Sequence, residues 1–151
     1  MIVYADGAAR GNPGPAGIGV VVTDRRGRTL EEIAEGIGPA TNNVAEYRAV
    51  LAGLEAAAGR GARTVLVRSD SRLLVEQLSG RFRVKNPTLL RLHEEARGLM
   101  KRFEDVAFEH VPREMNRAAD RLANRGVDDW LAGPGRGWAP PDPPSEPLFE
   151  G

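Results

Sequence analysis

The chain has 151 residues, enough for one domain with a sizeable core and too few for two. It has no cysteine, which excludes a disulfide framework, thiolate metal sites and a cysteine nucleophile, and its 21 Lys+Arg against 21 Asp+Glu leave zero net charge. That balance speaks against a nucleic-acid partner. No apolar run approaches the roughly 18 residues of a membrane span, and the chain opens on Ile2-Val3-Tyr4-Ala5-Asp6, not on a basic stretch followed by an apolar one, so a cytoplasmic monomer is expected.

A strand-like run at residues 1–6 is stopped by Asp6-Gly7 and then by the breaker-rich Arg10-Gly11-Asn12-Pro13-Gly14-Pro15. A second strand follows at about 17–23, and Asp24-Arg25-Arg26-Gly27 reads as a hairpin into a third at about 28–37. From Asn43 the period changes. Val44, Tyr47, Leu51, Leu54 and Ala58 step by three and four along one helix face, which predicts a helix to about Arg60. The short apolar strand at 64–69 is reached through that helix, so it is expected to lie parallel to the first strand. Helices are predicted at 71–78 and from Asn86-Pro87, the latter turning Leu89, Leu90, Leu92, Ala96, Leu99, Met100 and Phe103 inward. A fifth strand at 106–110 and a helix at 118–127, with Ala119, Leu122 and Ala123 inward, complete the order βββαβααβα. The expected fold is α/β, a mixed five-stranded sheet flanked by helices, over residues 1–130. Residues 131–151 hold six of the eleven prolines and show no apolar period, which reads as a flexible tail.

Four acids sit at the edges of these elements, and each has an ordinary reading. Asp6 makes a turn with Gly7; Glu46, three residues after Asn43, completes a capping box; Asp70 caps a helix; Asp120 offsets the macrodipole of the last helix. Topology favours another reading. If the first and fourth strands are parallel neighbours, Asp6 and Asp70 emerge side by side where open α/β sheets bind ligands, and Glu46 and Asp120 lean over the same edge. A convergence of four carboxylates repels itself unless cations fill it, and hard oxygen donors suit Mg²⁺ or Mn²⁺. Two such ions make the clamp used for in-line displacement at phosphorus.

The motifs carrying these acids resemble those of the type 1 ribonuclease H family. Tyr4-Ala5-Asp6-Gly7 through Gly11-Asn12-Pro13-Gly14 to Gly17 is similar to its D-G-x-x-x-G-N-P-G-x-x-G motif, and Thr41-Asn42-Asn43-Val44-Ala45-Glu46 to T-N-N-x-x-E. Ser69-Asp70-Ser71 resembles T-D-S, and Asn116-Arg117-Ala118-Ala119-Asp120-Arg121-Leu122-Ala123 resembles N-x-x-A-D-x-L-A. The resemblance covers about residues 1–128, with motifs in family order and spacing. It implies hydrolysis of the RNA strand of an RNA–DNA hybrid, leaving 5′-phosphate and 3′-hydroxyl ends. It also implies two Mg²⁺ ions, with Mn²⁺ an alternative, on Asp6, Glu46, Asp70 and Asp120. RNA 2′-hydroxyl contacts are implied for the Gly7 backbone, Asn12 and Glu46, and DNA-strand contacts for Thr41, Asn42 and Asn43. A non-catalytic binding module of the same fold is the alternative, and retention of all four acids weighs against it.

Three departures from the family pattern stand out. Arg72 replaces a glutamine, so a phosphate contact is expected there instead of a base-edge contact. A basic protrusion common in the family is missing, as in its compact archaeal and bacterial members, and double-stranded RNA stays open as a second substrate. A histidine-bearing loop before the last helix is also missing if His110 belongs to the fifth strand, which is the register favoured here. Arg81, Arg83, Lys85 and Arg91, with no acid between Glu76 and Glu94, form a candidate phosphate-tracking patch. Trp138 and Leu148-Phe149 in the tail offer a partner site, though an inert extension is the favoured reading. The tail carries −2 and residues 1–130 carry +2. Bound divalent cations would add to that positive charge, so hybrid binding is expected to depend on metal.

Overall fold

Five strands and four helices follow one another in the expected order in the computed structural model, which describes residues 1–133. The strands are β1 (Ile2–Ala9), β2 (Gly14–Thr23), β3 (Thr29–Ala40), β4 (Thr64–Ser69) and β5 (Asp105–His110). The helices are α1 (Asn42–Gly59), α2 (Arg72–Leu78), α3 (Pro87–Met100) and α4 (Arg117–Ala132), with a 3-10 turn at Arg113–Asn116 leading into α4. The sheet order is β3-β2-β1-β4-β5. β1, β2 and β3 form an antiparallel meander, and β4 lies parallel to both β1 and β5.

Helices cover both faces. α1 packs on β1 and β2 with α3 behind it, while α4 crosses β1, β2 and β3 on the other side. β2 is therefore covered twice, and its run from Ala16 to Thr23 is buried without alternation. The hairpin forms where residues 24–27 predict it: the Asp24 carboxylate accepts from the Arg26 and Arg28 N–H groups, and Gly27 supplies a φ of 85°. Val3, Val20, Val22, Val50, Leu54 and Val67 are fully buried between the sheet and α1.

Several boundaries differ from expectation. β1 does not stop at Asp6 but continues to Ala9, because β2 pairs with it through Asp6 opposite Gly19 and on to Ala9 opposite Ala16. Leu90 on α3 is 40% exposed, since the face of that helix toward α1 carries Leu89 and Ala96 instead. α4 extends five residues past its expected end at 127 and takes in the first two residues, 131 and 132, of the expected tail. Trp130 holds it there by covering Gly36 on β3. The rest of the tail, with Trp138 and Leu148-Phe149, lies outside the described residues. Among the described residues no helix is long and apolar enough to cross a membrane.

Candidate active site

Strand register brings the first two acids together. Tyr4 pairs with Arg68 at the end of the β1–β4 ladder, so two residues further on Asp6 and Asp70 are level. Beyond that point β1 stays with β2 and β4 ends, which opens the crevice into which both carboxylates emerge. Glu46 arrives from α1, and Gly7 explains how closely: a Cβ on Gly7 would lie 2.3 Å from the Ala45 carbonyl carbon and 2.4 Å from the Glu46 nitrogen. Only glycine there lets α1 settle onto β1 beside Asp6. The absent side chain thus faces the helix.

Asp6, Glu46 and Asp70 each present a carboxylate oxygen within 4.8 Å of the other two. Asp6 is 6% exposed and the other two are half-buried. Asp120, exposed on the first turn of α4, lies outside this trio and meets Asp6 through a hydrogen bond. Burial foremost, then the Asp70 charge, that hydrogen bond and the charges of Asp120 and Glu46, push the Asp6 carboxyl up to about 8. Burial likewise takes Glu46 up to about 7, opposed by a hydrogen bond from Ser71 and assisted by Asp70. Carboxylates crowded until they hold protons near neutral pH are what a divalent cation would displace those protons from. The donors are all hard oxygens, with no thiolate or imidazole in the set, so the residues fit an ion of the Mg²⁺ or Mn²⁺ class.

Two ordinary readings of the acids are corrected. The N-cap of α1 is Thr41, whose Oγ1 accepts from the Val44 N–H, so Asn43 is no cap and Glu46 is no capping-box partner. The N-cap of α2 is Ser71, whose hydroxyl accepts from the Leu74 N–H, and Asp70 is released from that task. Both acids are therefore available to a ligand. The Tyr47 hydroxyl donates to Gln77 Oε1 at 2.6 Å in the buried seam between α1 and α2, which holds Glu46 and Ser71 in register. Asn116, 1% exposed, donates to the Ala5 carbonyl at 3.0 Å and ties the entry of α4 to the residue before Asp6. The motifs contained Ser71 and Asn116, but spacing alone assigns them no role. Only the fold shows what each touches.

The remaining candidates are partly committed to structure. Asn12 Oδ1 accepts from the Asn42 N–H at 3.0 Å, and Asn42 Oδ1 accepts from the Ala9 N–H at 3.0 Å, so these two asparagines cross-brace the β1–β2 turn to the start of α1. Both residues are exposed, and of their side chains these bonds use only the oxygens. Gly11 has a φ of 100°, which the turn requires. Asn43 is half-buried and Arg72 exposed. His110 closes β5 opposite Ser69, in the favoured strand register. The basic patch is thinner than its sequence count: the Arg81 guanidinium grips Glu76 through two hydrogen bonds of 2.7 and 2.9 Å.

Residues 4–126 match a family model described as reverse transcriptase-like. A bifunctional protein of Mycobacterium tuberculosis is 50% identical over 129 residues, 85% of this chain and 35% of that protein, so the chain spans about a third of this relative's length. The crystal structure of RNase H1 from the halophilic archaeon Halobacterium salinarum superposes with a TM-score of 0.83 at 46% identity, covering 85% of this chain and 97% of that one. An RNase H1 isolated from compost, solved in complex with an RNA/DNA hybrid, gives a TM-score of 0.82 at 45% identity, covering 86% and 98%.

Proposed function

The chain belongs to the reverse transcriptase-like, ribonuclease H family, and on that premise we propose that it is an endoribonuclease hydrolysing the RNA strand of RNA–DNA hybrids to 5′-phosphate and 3′-hydroxyl ends. The observation that carries this reading is the trio Asp6, Glu46 and Asp70, brought within 4.8 Å by register and by Gly7, with Asp120 joined to Asp6. These four acids would hold two Mg²⁺ ions, or Mn²⁺, which supply activation of water and stabilisation of the leaving oxygen.

The chain's own residues do the rest. Asp6 and Asp70, on neighbouring strand ends, fix the position of the scissile phosphate relative to the sheet, and Glu46 approaches from the other side with one oxygen steadied by Ser71. The half-buried walls around them exclude bulk water and strengthen every charge interaction at the phosphate. Asn12, its oxygen held by the Asn42 N–H, presents its amide donors to the RNA strand beside the Gly7 backbone and Glu46. A 2′-hydroxyl satisfying such donors is what separates RNA from DNA there. Asn42 and Asn43, with Thr41 capping the helix that carries them, are the contacts for the DNA strand, and Arg72 reaches a phosphate.

The test is cleavage of a hybrid labelled on its RNA strand, with double-stranded RNA and double-stranded DNA as parallel substrates. Wild type is expected to cut the hybrid only with divalent metal, and Asp70→Asn to lose more than about 100-fold in rate, beyond what an outer partner of a ligand costs. Equal cleavage by the two proteins, or cleavage in chelator, refutes the proposal. Cleavage of the duplex RNA would widen the substrate without altering the site.

A further inference from the structure

Asp120 differs from the other three acids in having no buried wall behind it. It is exposed, on the outward face of α4, and an aspartate in that setting has several rotamers open to it. It nevertheless lies close enough to Asp6 to help push that carboxyl up. The cause lies along α4, where Asp120, Asn124 and Asp128 stand four residues apart on one face, and Arg10 from the β1–β2 turn lies across them.

Arg10 makes three contacts there. One of its terminal nitrogens pairs with the Asp128 carboxylate at 2.7 Å. The other donates to the Asn124 carbonyl at 3.2 Å and to the Asn124 side-chain oxygen at 3.4 Å. The Asn124 side-chain NH₂ donates in turn to the Asp120 carbonyl at 3.0 Å and to its carboxylate at 3.4 Å. The order of donors and acceptors is chemically forced. A guanidinium only donates and a carboxylate only accepts, so an amide between them turns its oxygen to Arg10 and its NH₂ to Asp120. Reversing the amide would break contacts at both ends. Asp128 offsets the arginine's charge, so that charge does not pull Asp120 away from Asp6.

We infer that Arg10 and Asn124 are positioning residues for Asp120: Arg10 sets the orientation of the Asn124 amide, and that amide holds the Asp120 carboxylate toward the trio. The inference rests on the reading of Asp120 as a metal ligand. Neither residue touches the reacting phosphate. The arrangement also ties the metal centre to the turn carrying Gly11 and Asn12, whose other side is braced to α1 through Asn42. Outer partners of this kind fix a ligand's orientation before the ion arrives, and so lower the ordering cost of binding it.

The test is calorimetric titration of Mn²⁺ into the full chain without nucleic acid, accompanied by thermal melting in chelator. Asn124→Ala is expected to weaken Mn²⁺ binding about 10-fold, the low end for outer partners of ligands. Arg10→Ala is expected to act in the same direction, and the double variant to bind no worse than Asn124→Ala alone, because Arg10 works through that amide. Melting in chelator should change little, whereas a purely structural role would lower it and leave the Mn²⁺ affinity of the folded protein alone. Arg10 sits on an exposed turn, so its variant carries the test even where replacing Asn124 costs stability. If both single variants bind Mn²⁺ as wild type does while Asp120→Asn is weakened, the inference is wrong and the metal reading stands. Wild-type affinity in Asp120→Asn overturns the assignment of Asp120 itself. Independent, additive losses in the double variant overturn the linkage through Asn124.

Discussion

The acidic end of β1 and β4 and the basic stretch after α2 carry similar numbers of charges, yet the fold treats them oppositely. Asp6, Glu46 and Asp70 are drawn from three separate elements into one crevice, and all the charges that act on Asp6 there are those of other acids. Arg81, by contrast, folds back five residues onto Glu76, and the charges of Arg72 and His110 also help hold that carboxyl below its ordinary value. One region concentrates charge at a structural cost, and the other dissipates it locally. The difference shows that the functional signal is charge left uncompensated in space, which a count along the chain does not report. Breaking the frame that enforces the crowding should give the largest effect. Titrating the crowded acids should give an intermediate one, and reversing single surface cations the smallest.

That frame depends on glycines in β1 and β2. A Cβ on Gly19 would lie 1.9 Å from the Ala119 carbonyl oxygen and 2.4 Å from the Ala123 nitrogen, both backbone atoms of α4 that no rotamer change can move aside. Gly19→Ala must therefore lift the helix that carries Asp120, at an expected cost of about 3 kcal/mol or more in a urea melt, with loss of hybrid cleavage. Gly98→Ala on α3 is the matched control, since nothing lies within 4 Å of a Cβ there. It should stabilise the protein by up to about 1 kcal/mol and leave cleavage unchanged. Equal melts for the two variants would show that α4 is not seated by Gly19.

The crowding itself should be visible as a dependence of stability on pH. In metal-free protein Asp6 holds its proton up to about 8, far above the ordinary value of 3.8, so between these limits the folded state binds more protons than the unfolded one. Its contribution is fully present below about 4 and is lost as pH rises through about 8. Glu46, raised to about 7, adds in the same direction. Melting midpoints in chelator should therefore fall from pH 5 to pH 8, each group contributing a slope of at most about 1.4 kcal/mol per pH unit. Asp6→Asn should flatten the fall and be the more stable protein at pH 8. Saturating Mn²⁺ should oppose the fall, because cation binding releases the same protons. A chelated protein whose stability rises over this range would show that the acids are not crowded in solution.

Much of this was legible before the structure, for physical reasons that differ by element. The β4 boundaries at Thr64 and Ser69 agree with expectation because the strand is short, apolar and bounded by breakers. The convergence of Asp6 and Asp70 followed from the parallel crossover alone. Glu46 could be placed on a helix, but not at its distance from Asp6, because that distance is set by what Gly7 lacks. α4 runs past its predicted end at 127 because the packing of Trp130 on Gly36 is a long-range contact that no local pattern encodes. Asn124 and Arg10 were invisible for the same reason, being 114 residues apart in the chain. Arg81 misled in the opposite sense: its partner was the acid that bounded the counted stretch.

The basic stretch supplies the mildest and most discriminating prediction. Arg81 and Arg83 are two residues apart and both exposed, so a charge-counting view expects reversal of either to weaken hybrid binding alike. The structure separates them. Arg83 is not ion-paired among the described residues, while both arms of the Arg81 fork are occupied by Glu76. Arg83→Glu should therefore raise KM about fivefold with kcat nearly unchanged, and flatten the dependence of binding on salt, as loss of a phosphate contact does. Arg81→Glu should raise KM less and lower the melting midpoint more, because it sets two glutamates against each other beside α2. The midpoint shift should shrink in salt, since both side chains stand in water. If the two variants instead show the same KM and the same midpoint, the ion pair with Glu76 does not persist in solution and the patch regains the full charge that the sequence assigns it.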